Sequence, residues 1–251
     1  MADRSALAAV KAISFDCYGT LIDWSRGLQL ALETRAGLAA PEAARLVRRR
    51  GEVEWRLLGE LEEFVPYRRL LERSIVIAAE EEGLQLPPDA AGAVAASIGD
   101  WPPFPDAPPA LRRLAGRWPL ALVSNVDPED LDATVARLGV PFARRVTAAD
   151  VRTYKPDPDH ILALLHEMAL DEFELLHVSA YADYDLATAQ DLGVPAVYVD
   201  RYGRPLPEDV EVLFTVRDME ELARALTGPA PRQPRRGGPG FRPRAGERRK
   251  P

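Results

Sequence analysis

Residues 13–23 read Ile13-Ser14-Phe15-Asp16-Cys17-Tyr18-Gly19-Thr20-Leu21-Ile22-Asp23. A short apolar run, the pattern of a buried strand, stops abruptly at an aspartate and a glycine-containing turn. In an open α/β sheet the carboxyl ends of the strands line the binding crevice. A carboxylate at that point is placed for chemistry rather than for packing. Two residues further on stands Tyr18, and the chemistry open to the turn depends on that position.

Beyond residue 100 strands and helices alternate. Leu120-Ala121-Leu122-Val123 is a short apolar strand ending in Ser124-Asn125, and Leu175-Leu176-His177-Val178 is another ending in Ser179. Ala196-Val197-Tyr198-Val199 is a further strand, and Val212-Leu213-Phe214 is a candidate edge strand. Helices are expected over 131–138, within 162–168, over 186–192 and over 219–226, two of them stopped at Gly139 and Gly193. This alternation predicts a mostly parallel sheet with helices on both faces.

Residues 20–100 lack strand-like alternation and read as helical. The clearest helix spans 41–62, with Pro41 suited to its first turn. Leu46, Val47, Val53, Leu57, Leu58 and Leu61 form its apolar stripe, and Arg48, Arg49 and Arg50 lie within it. Helices over 67–82 and 88–98 follow, and Trp101-Pro102-Pro103-Phe104-Pro105 makes a hinge out of the segment. The expected organisation is a Rossmann-like core over 1–19 and 101–227, a helical cap over 20–100, and a tail over 228–251.

Composition narrows the class. The 251 residues carry a net charge of −7. Segment 229–251 holds eight Arg or Lys and one Glu, or +7, so the rest of the chain carries −14. That tail has too few apolar residues to fold alone and is expected to be disordered. Basic tails can hold anionic polymers by counterion release, but so acidic a body makes nucleic acid an improbable main partner. A single cysteine excludes an internal disulfide and a cysteine zinc site. Three scattered histidines do not suggest a metal cage. There is no transmembrane-length apolar stretch, and the charged start argues against a secretory signal, so a cytoplasmic protein is expected. A homodimer is compatible with this composition.

Four strand ends or nearby loops supply polar residues: Asp16 with Thr20, Ser124 with Asn125, Lys155, and Ser179 with Asp183 or Asp185. Three segments, Asp16-Cys17-Tyr18-Gly19-Thr20-Leu21, Val123-Ser124-Asn125 and Tyr154-Lys155-Pro156-Asp157-Pro158, occur in the order found in the haloacid dehalogenase superfamily of hydrolases, and Gly193-Val194-Pro195 follows. The chain resembles that superfamily over residues 11–226, and the helical stretch after the first motif is similar to its cap. Asp16 is then a candidate nucleophile, since a carboxylate can attack carbon or phosphorus and leave an ester or acyl phosphate. Lys155 is the cation that would keep it ionised, and Thr20 and Ser124 would hold the carboxylate or a bound anion.

Two departures choose among the chemistries that the resemblance implies. Superfamily phosphatases place an aspartate where Tyr18 stands, and a Gly-Asp pair that helps bind Mg²⁺ where this chain has Ser179-Ala180. Both changes resemble the branch that cleaves carbon–halogen bonds without a metal. The implied substrate is a small carboxylate, a 2-haloacid. Asp16 would displace halide from C2, and water would hydrolyse the resulting ester. Asn125 and a cap arginine would receive the halide, with Arg49 favoured and Arg48 or Arg50 the alternatives. Ser179 and Asp183 or Asp185 would position the water, while Tyr18 and Tyr181 would contact substrate. Other dehalogenases have Ser-Ser-Asn where Ser179-Ala180-Tyr181 stands, and often a tyrosine at the place of Ile161. The alternative readings are an Mg²⁺-dependent phosphatase using Asp183 and Asp185, and a catalytically silent binding protein.

Overall fold

The computed structural model describes residues 4–228. The predicted tail therefore lies outside the described residues, apart from Gly228. Six strands, β1 (Ala12–Asp16), β2 (Leu120–Ser124), β3 (Arg144–Thr147), β4 (Leu175–Ser179), β5 (Ala196–Val199) and β6 (Phe214–Val216), form one sheet in the order β3-β2-β1-β4-β5-β6. Every pairing is parallel. All five residues of β1, β2 and β4 are buried, as befits central strands covered on both faces.

Eleven α-helices accompany the sheet among the described residues: α1 (Arg4–Ala9), α2 (Trp24–Arg35), α3 (Ala40–Gly59), α4 (Tyr67–Glu81), α5 (Ala90–Ala95), α6 (Ala107–Ala115), α7 (Pro128–Leu138), α8 (Ala148–Val151), α9 (Asp159–Met168), α10 (Ala187–Asp191) and α11 (Met219–Thr227). Alternate strand residues feed two apolar layers. Ile13, Phe15, Leu120, Leu122, Leu176 and Val178 pack with Leu111, Leu131 and Leu222 of α6, α7 and α11. Ala12, Ala121, Val123 and Leu175 pack with Ile161, Leu164 and Leu186 on the opposite side. The fold is a Rossmann-like α/β sandwich.

Helices α2 to α5 form a helical insert between β1 and α6, the segment read from the sequence as a cap. The chain enters and leaves it through a narrow neck, where Asp23 N–H donates to Pro102 O and Phe104 N–H donates to Leu21 O, both at 2.9 Å. The first layer of the core runs on into the cap through Leu28, Leu46, Leu71 and Ile75. On its far side the cap is clamped to the core. The first turn of α4 has no capping side chain of its own, and Asp127 accepts from Tyr67 N–H and Arg68 N–H at 2.9 Å each. A borrowed carboxylate there satisfies orphan donors and faces the positive helix end, worth about 0.5–2 kcal/mol. Arg68 adds a bidentate pair to Asp130 at 2.8 and 2.6 Å, and Tyr154 donates to Val65 O at 2.7 Å.

Several elements depart from the sequence reading. Strand β3 and helix α6 were not expected, and the apolar candidate at 212–214 shifts to Phe214–Val216. The expected helix over 88–98 is cut to Ala90–Ala95, followed by a 3₁₀ turn at Ile98–Asp100.

Candidate active site

β1 lies between β2 and β4, whose connections leave in opposite directions, so a crevice opens at the carboxyl end of β1. Asp16 is the last residue of that strand and only 5% exposed. The turn after it brings Thr20 back, and its hydroxyl donates to Asp16 Oδ2 at 2.7 Å while accepting from Ala180 N–H at 2.9 Å. Gly19 makes this turn possible. Its φ of 101° lies in the region that favours glycine, and a β-carbon there would overlap the Tyr181 ring.

Lys155 sits at the centre. Its Nζ donates to Asp16 Oδ1 at 2.9 Å, to Val123 O at 3.1 Å and to Asp185 Oδ2 at 3.1 Å. Ser179 donates to the same Asp185 oxygen at 2.8 Å and accepts from Tyr181 N–H at 3.0 Å. Two buried carboxylates thus share one buried ammonium. Burial alone would lower the lysine, but Asp16 and Asp185 together hold it above its ordinary value. Burial raises Asp16, and Lys155 offsets only part of this while Asp185 adds repulsion. Asp185 goes the other way: Lys155, His177 and Ser179 overcome its burial and hold it well below the carboxylate range. With one cation for two anions, this split is what electrostatics requires.

Asp185 reaches the site through an irregular turn. Residues Ala182–Leu186 adopt a π-helical turn that absorbs one extra residue, burying Asp185 and leaving Asp183 exposed. Of the two aspartates left open by the sequence, Asp185 is in the cluster and Asp183 is not.

On the β2 side, Asn125 Oδ1 accepts from Lys155 N–H at 3.0 Å. With its oxygen committed, the amide has its Nδ2 donors left for the crevice. Ser124 is buried at the end of β2, where its hydroxyl accepts from Val126 N–H at 3.4 Å. Both oxygens of Asp16 are instead held by Lys155 and Thr20.

The favoured Arg49 and its neighbour Arg50 are placed differently. Arg49 faces outward and pairs with Glu52 and Glu81 on the outer side of the cap, so it does not enter the crevice. Arg50, one residue on and in phase with the apolar stripe, is 2% exposed. It pairs with Glu54 and donates to Tyr67 Oη at 2.9 Å and Ser74 Oγ at 3.2 Å. Its guanidinium carbon lies 5.7 Å from the centre of the Trp24 ring. Trp24 donates to Tyr181 Oη at 2.9 Å, which links Arg50 to the roof over Gly19. Tyr181 stacks on Tyr184 at 4.9 Å, and Trp55 meets Tyr184 edge-on. Tyr18 lies two residues beyond Asp16. Its hydroxyl bonds to Thr134 at 2.6 Å and its ring packs edge-on to Trp101, so its polar end is directed to α7 rather than to Asp16.

The donor set does not suit Mg²⁺, which demands near-octahedral oxygen ligation. The ammonium of Lys155 already bridges the two carboxylates, Ala180 offers no side-chain ligand, and Tyr18 is turned away. The described residues contain no group of three or more His, Cys, Asp or Glu placed to hold a metal.

Comparison with known proteins gives the family. The model of a hydrolase family described as haloacid dehalogenase-like hydrolase matches residues 10–193. The chain belongs to that family. Among curated members, the (S)-2-haloacid dehalogenase of Pseudomonas sp. (strain YL) is 28% identical over 230 residues, covering 88% of this chain and 97% of that one. The haloacetate dehalogenase H-2 of Moraxella sp. (strain B) is 24% identical over 86% of this chain and 98% of its own length. The solved L-2-haloacid dehalogenase of Xanthobacter autotrophicus superposes with a TM-score of 0.72 at 22% identity, over 88% of this chain and all of that one. At that identity the superposition speaks for the fold.

Several residues of the cluster escaped the sequence reading: Trp24, Glu54, Tyr67, Asp127, His177 and Tyr184. For His177 a signal existed, since it stands two residues before Ser179 and so shares its strand face.

Proposed function

We propose that the protein is a metal-independent hydrolase of short 2-haloacids, with Asp16 as nucleophile. The observation that carries this reading is the Lys155 ammonium, held 2.9 Å from Asp16 Oδ1 and 3.0 Å from Asp185 Oδ1, in a site with no second oxygen donor for a metal at Ala180. The (S)-2-haloacid dehalogenase relative adds support through its matching length.

In the proposed reaction an Asp16 oxygen attacks C2 of the substrate from the side opposite the halogen. The C–O bond forms as the carbon–halogen bond breaks, and the halide leaves with the bonding pair, inverting C2. Asn125 Nδ2 and Arg50 are the donors proposed to receive the halide, because preorganised donors aimed at developing charge supply much of a rate enhancement. Water then adds to Asp16 Cγ, positioned by Ser179 and Asp185. Collapse expels the 2-hydroxyacid oxygen, which takes up one proton of the attacking water, and regenerates the Asp16 carboxylate as the other proton leaves to solvent. Thr20 steadies the same carboxylate through both steps, and Tyr181 with Tyr184 and Trp24 forms the apolar roof over the substrate. A small-molecule carboxylate is the proposed partner, and the helical insert is the proposed selector of its size.

The experiment is halide release from (S)-2-bromopropionate in excess EDTA, comparing wild type with Asp16→Asn. Release by wild type that disappears in the variant is expected. Release that requires added Mg²⁺, or none from either protein, refutes the proposal.

A further inference from the structure

Beneath the site lies a buried polar chain that the reaction above does not use. Ser14 and His177 are register partners on β1 and β4. Ser14 Oγ lies 2.9 Å from His177 Nδ1, and His177 Nε2 lies 3.4 Å from Asp185 Oδ1. Both Ser14 and His177 have zero exposure, beside the apolar side chains of the second layer. Because strand side chains alternate, Ser14 shares a face with Asp16, and His177 shares one with Ser179. The chain therefore runs directly under the nucleophile and ends on the carboxylate proposed to orient water.

A buried imidazole without bonds at both nitrogens is costly. Nε2 has no aligned hydrogen bond, and Asp185 Oδ1 is the acceptor facing it. If Ser14 donates to Nδ1, the ring carries its proton on Nε2, pointing at Asp185. The opposite tautomer would aim a lone pair at a carboxylate. The separation of 3.4 Å exceeds the usual N–H···O distance of about 2.9 Å, and such contacts commonly tighten only in the reacting state. The other groups around Asp185 are Lys155, Ser179 and, across the lysine, Asp16. His160 of α9 adds no charge there, because burial and the nearby Lys155 push it down to about 4.

We infer that His177 is a positioning residue: held by Ser14, it donates from Nε2 to Asp185 and fixes that carboxylate for the water-attack step. The step it serves rests on the dehalogenase reading; the hydrogen-bond geometry does not. Once Asp16 is esterified it no longer competes for Lys155, and Asp185 must keep its orientation while its neighbour changes charge. A rigid donor behind it, anchored in the central sheet, meets that need. His177 consequently acts on ester hydrolysis and leaves halide displacement nearly unchanged.

Two measurements test this. The first is the long-range ¹H–¹⁵N spectrum of histidine-labelled full-length wild type near neutral pH. A proton on Nε2 of His177 is expected, and an unprotonated Nε2 overturns the proposal whatever the substrate. The second compares His177→Gln, His177→Asn and His177→Phe in single turnovers of (S)-2-bromopropionate. Glutamine can place an amide near the Nε2 position, whereas asparagine reaches only the Nδ1 position. For Asn and Phe the first turnover should release about one halide per site at near wild-type rate. Ester decay, followed by intact mass, should then slow by about 10- to 100-fold, the usual weight of one hydrogen bond to a charged group. Gln should recover most of the loss. Equal slowing by Gln and Asn, or a slowed halide burst, overturns the inference. A wild type that releases no halide would instead fail the dehalogenase reading, leaving the Nε2 proton to decide His177.

Discussion

Replacing Lys155 with methionine tests the electrostatic core of the site. Methionine fills similar volume but removes the charge that two buried carboxylates share. The side chains of Lys155, Asp16 and Asp185 are 4%, 7% and 2% exposed, so water cannot screen what is left. Removing one partner from a buried ion pair costs about 3–5 kcal/mol, because the other charge stays buried. Asp16 would keep only Thr20, and Asp185 would keep Ser179 and His177. The loss should lie in that range at pH 8, equivalent to about 6–20 °C in melting temperature for a chain of this size. It should also depend on pH with a definite sign. Without the lysine, burial raises both carboxylates above their unfolded values near 4, so the folded variant binds more protons than the unfolded one. Its stability therefore falls as pH rises through that window, and the deficit against wild type is larger at pH 8 than at pH 5. Urea unfolding followed by tryptophan fluorescence at both pH values measures it. A deficit below about 1 kcal/mol, or one that shrinks with rising pH, would refute the argument that the shared ammonium stabilises both acids.

Other outcomes follow from the same geometry. Asp16 is raised in the folded state, so its ionised form opposes folding above its unfolded value; Asp16→Asn should abolish halide release yet raise the unfolding midpoint at pH 7. Asp185 is lowered, so its stabilising contribution is present above its unfolded value and lost as pH falls; Asp185→Asn should reduce stability at pH 7 by about 1–3 kcal/mol in the same assay. Arg50→Gln should cut kcat/KM for 2-bromopropionate by about 100-fold or more. Arg49→Gln, on the outer face, should stay within about twofold of wild type, since surface pairs contribute little. Gly19→Ala should lose activity and melt earlier, because the new methyl meets Tyr181 and φ is 101° there.

The sheet was readable because its central strands are mostly apolar runs that end in polar residues, with Ser14 and His177 the polar members inside them. Edge strand β3 was not: Arg144 and Arg145 are exposed, and only Val146 and Thr147 are buried, which leaves no apolar run to notice. Helix α6 was masked by Pro108 and Pro109, which read as breakers although the first helical turn tolerates proline. Within the site, Asp16, Thr20, Lys155 and Ser179 stand at strand ends or in adjoining loops, where position in sequence implies position in space. The cap arginine shows the limit of crude alignment. The stripe Leu46, Val47, Val53 and Leu57 carries Arg50 with it into the interior and leaves Arg49 at its margin. Asp183 and Asp185 were both left open because a π-turn changes the spacing of the loop, and residue counting cannot reveal one extra residue within a turn. The aromatic roof, drawn from α2, α3 and the loop after β4, is joined only by tertiary packing.

The sharing of Lys155 by Asp16 and Asp185 also bears on how a turnover would end. At rest the trio carries one net negative charge, which the proposed alkylation removes together with the departing halide. A bound ester would thus sit in a neutral pocket with only its own carboxylate charged. Hydrolysis restores the negative charge on Asp16 while the anionic 2-hydroxyacid is still beside it. Like charges at close range in a dry site repel strongly, so the chemical step itself turns a comfortable guest into an unwelcome one, and product leaves as the nucleophile is renewed.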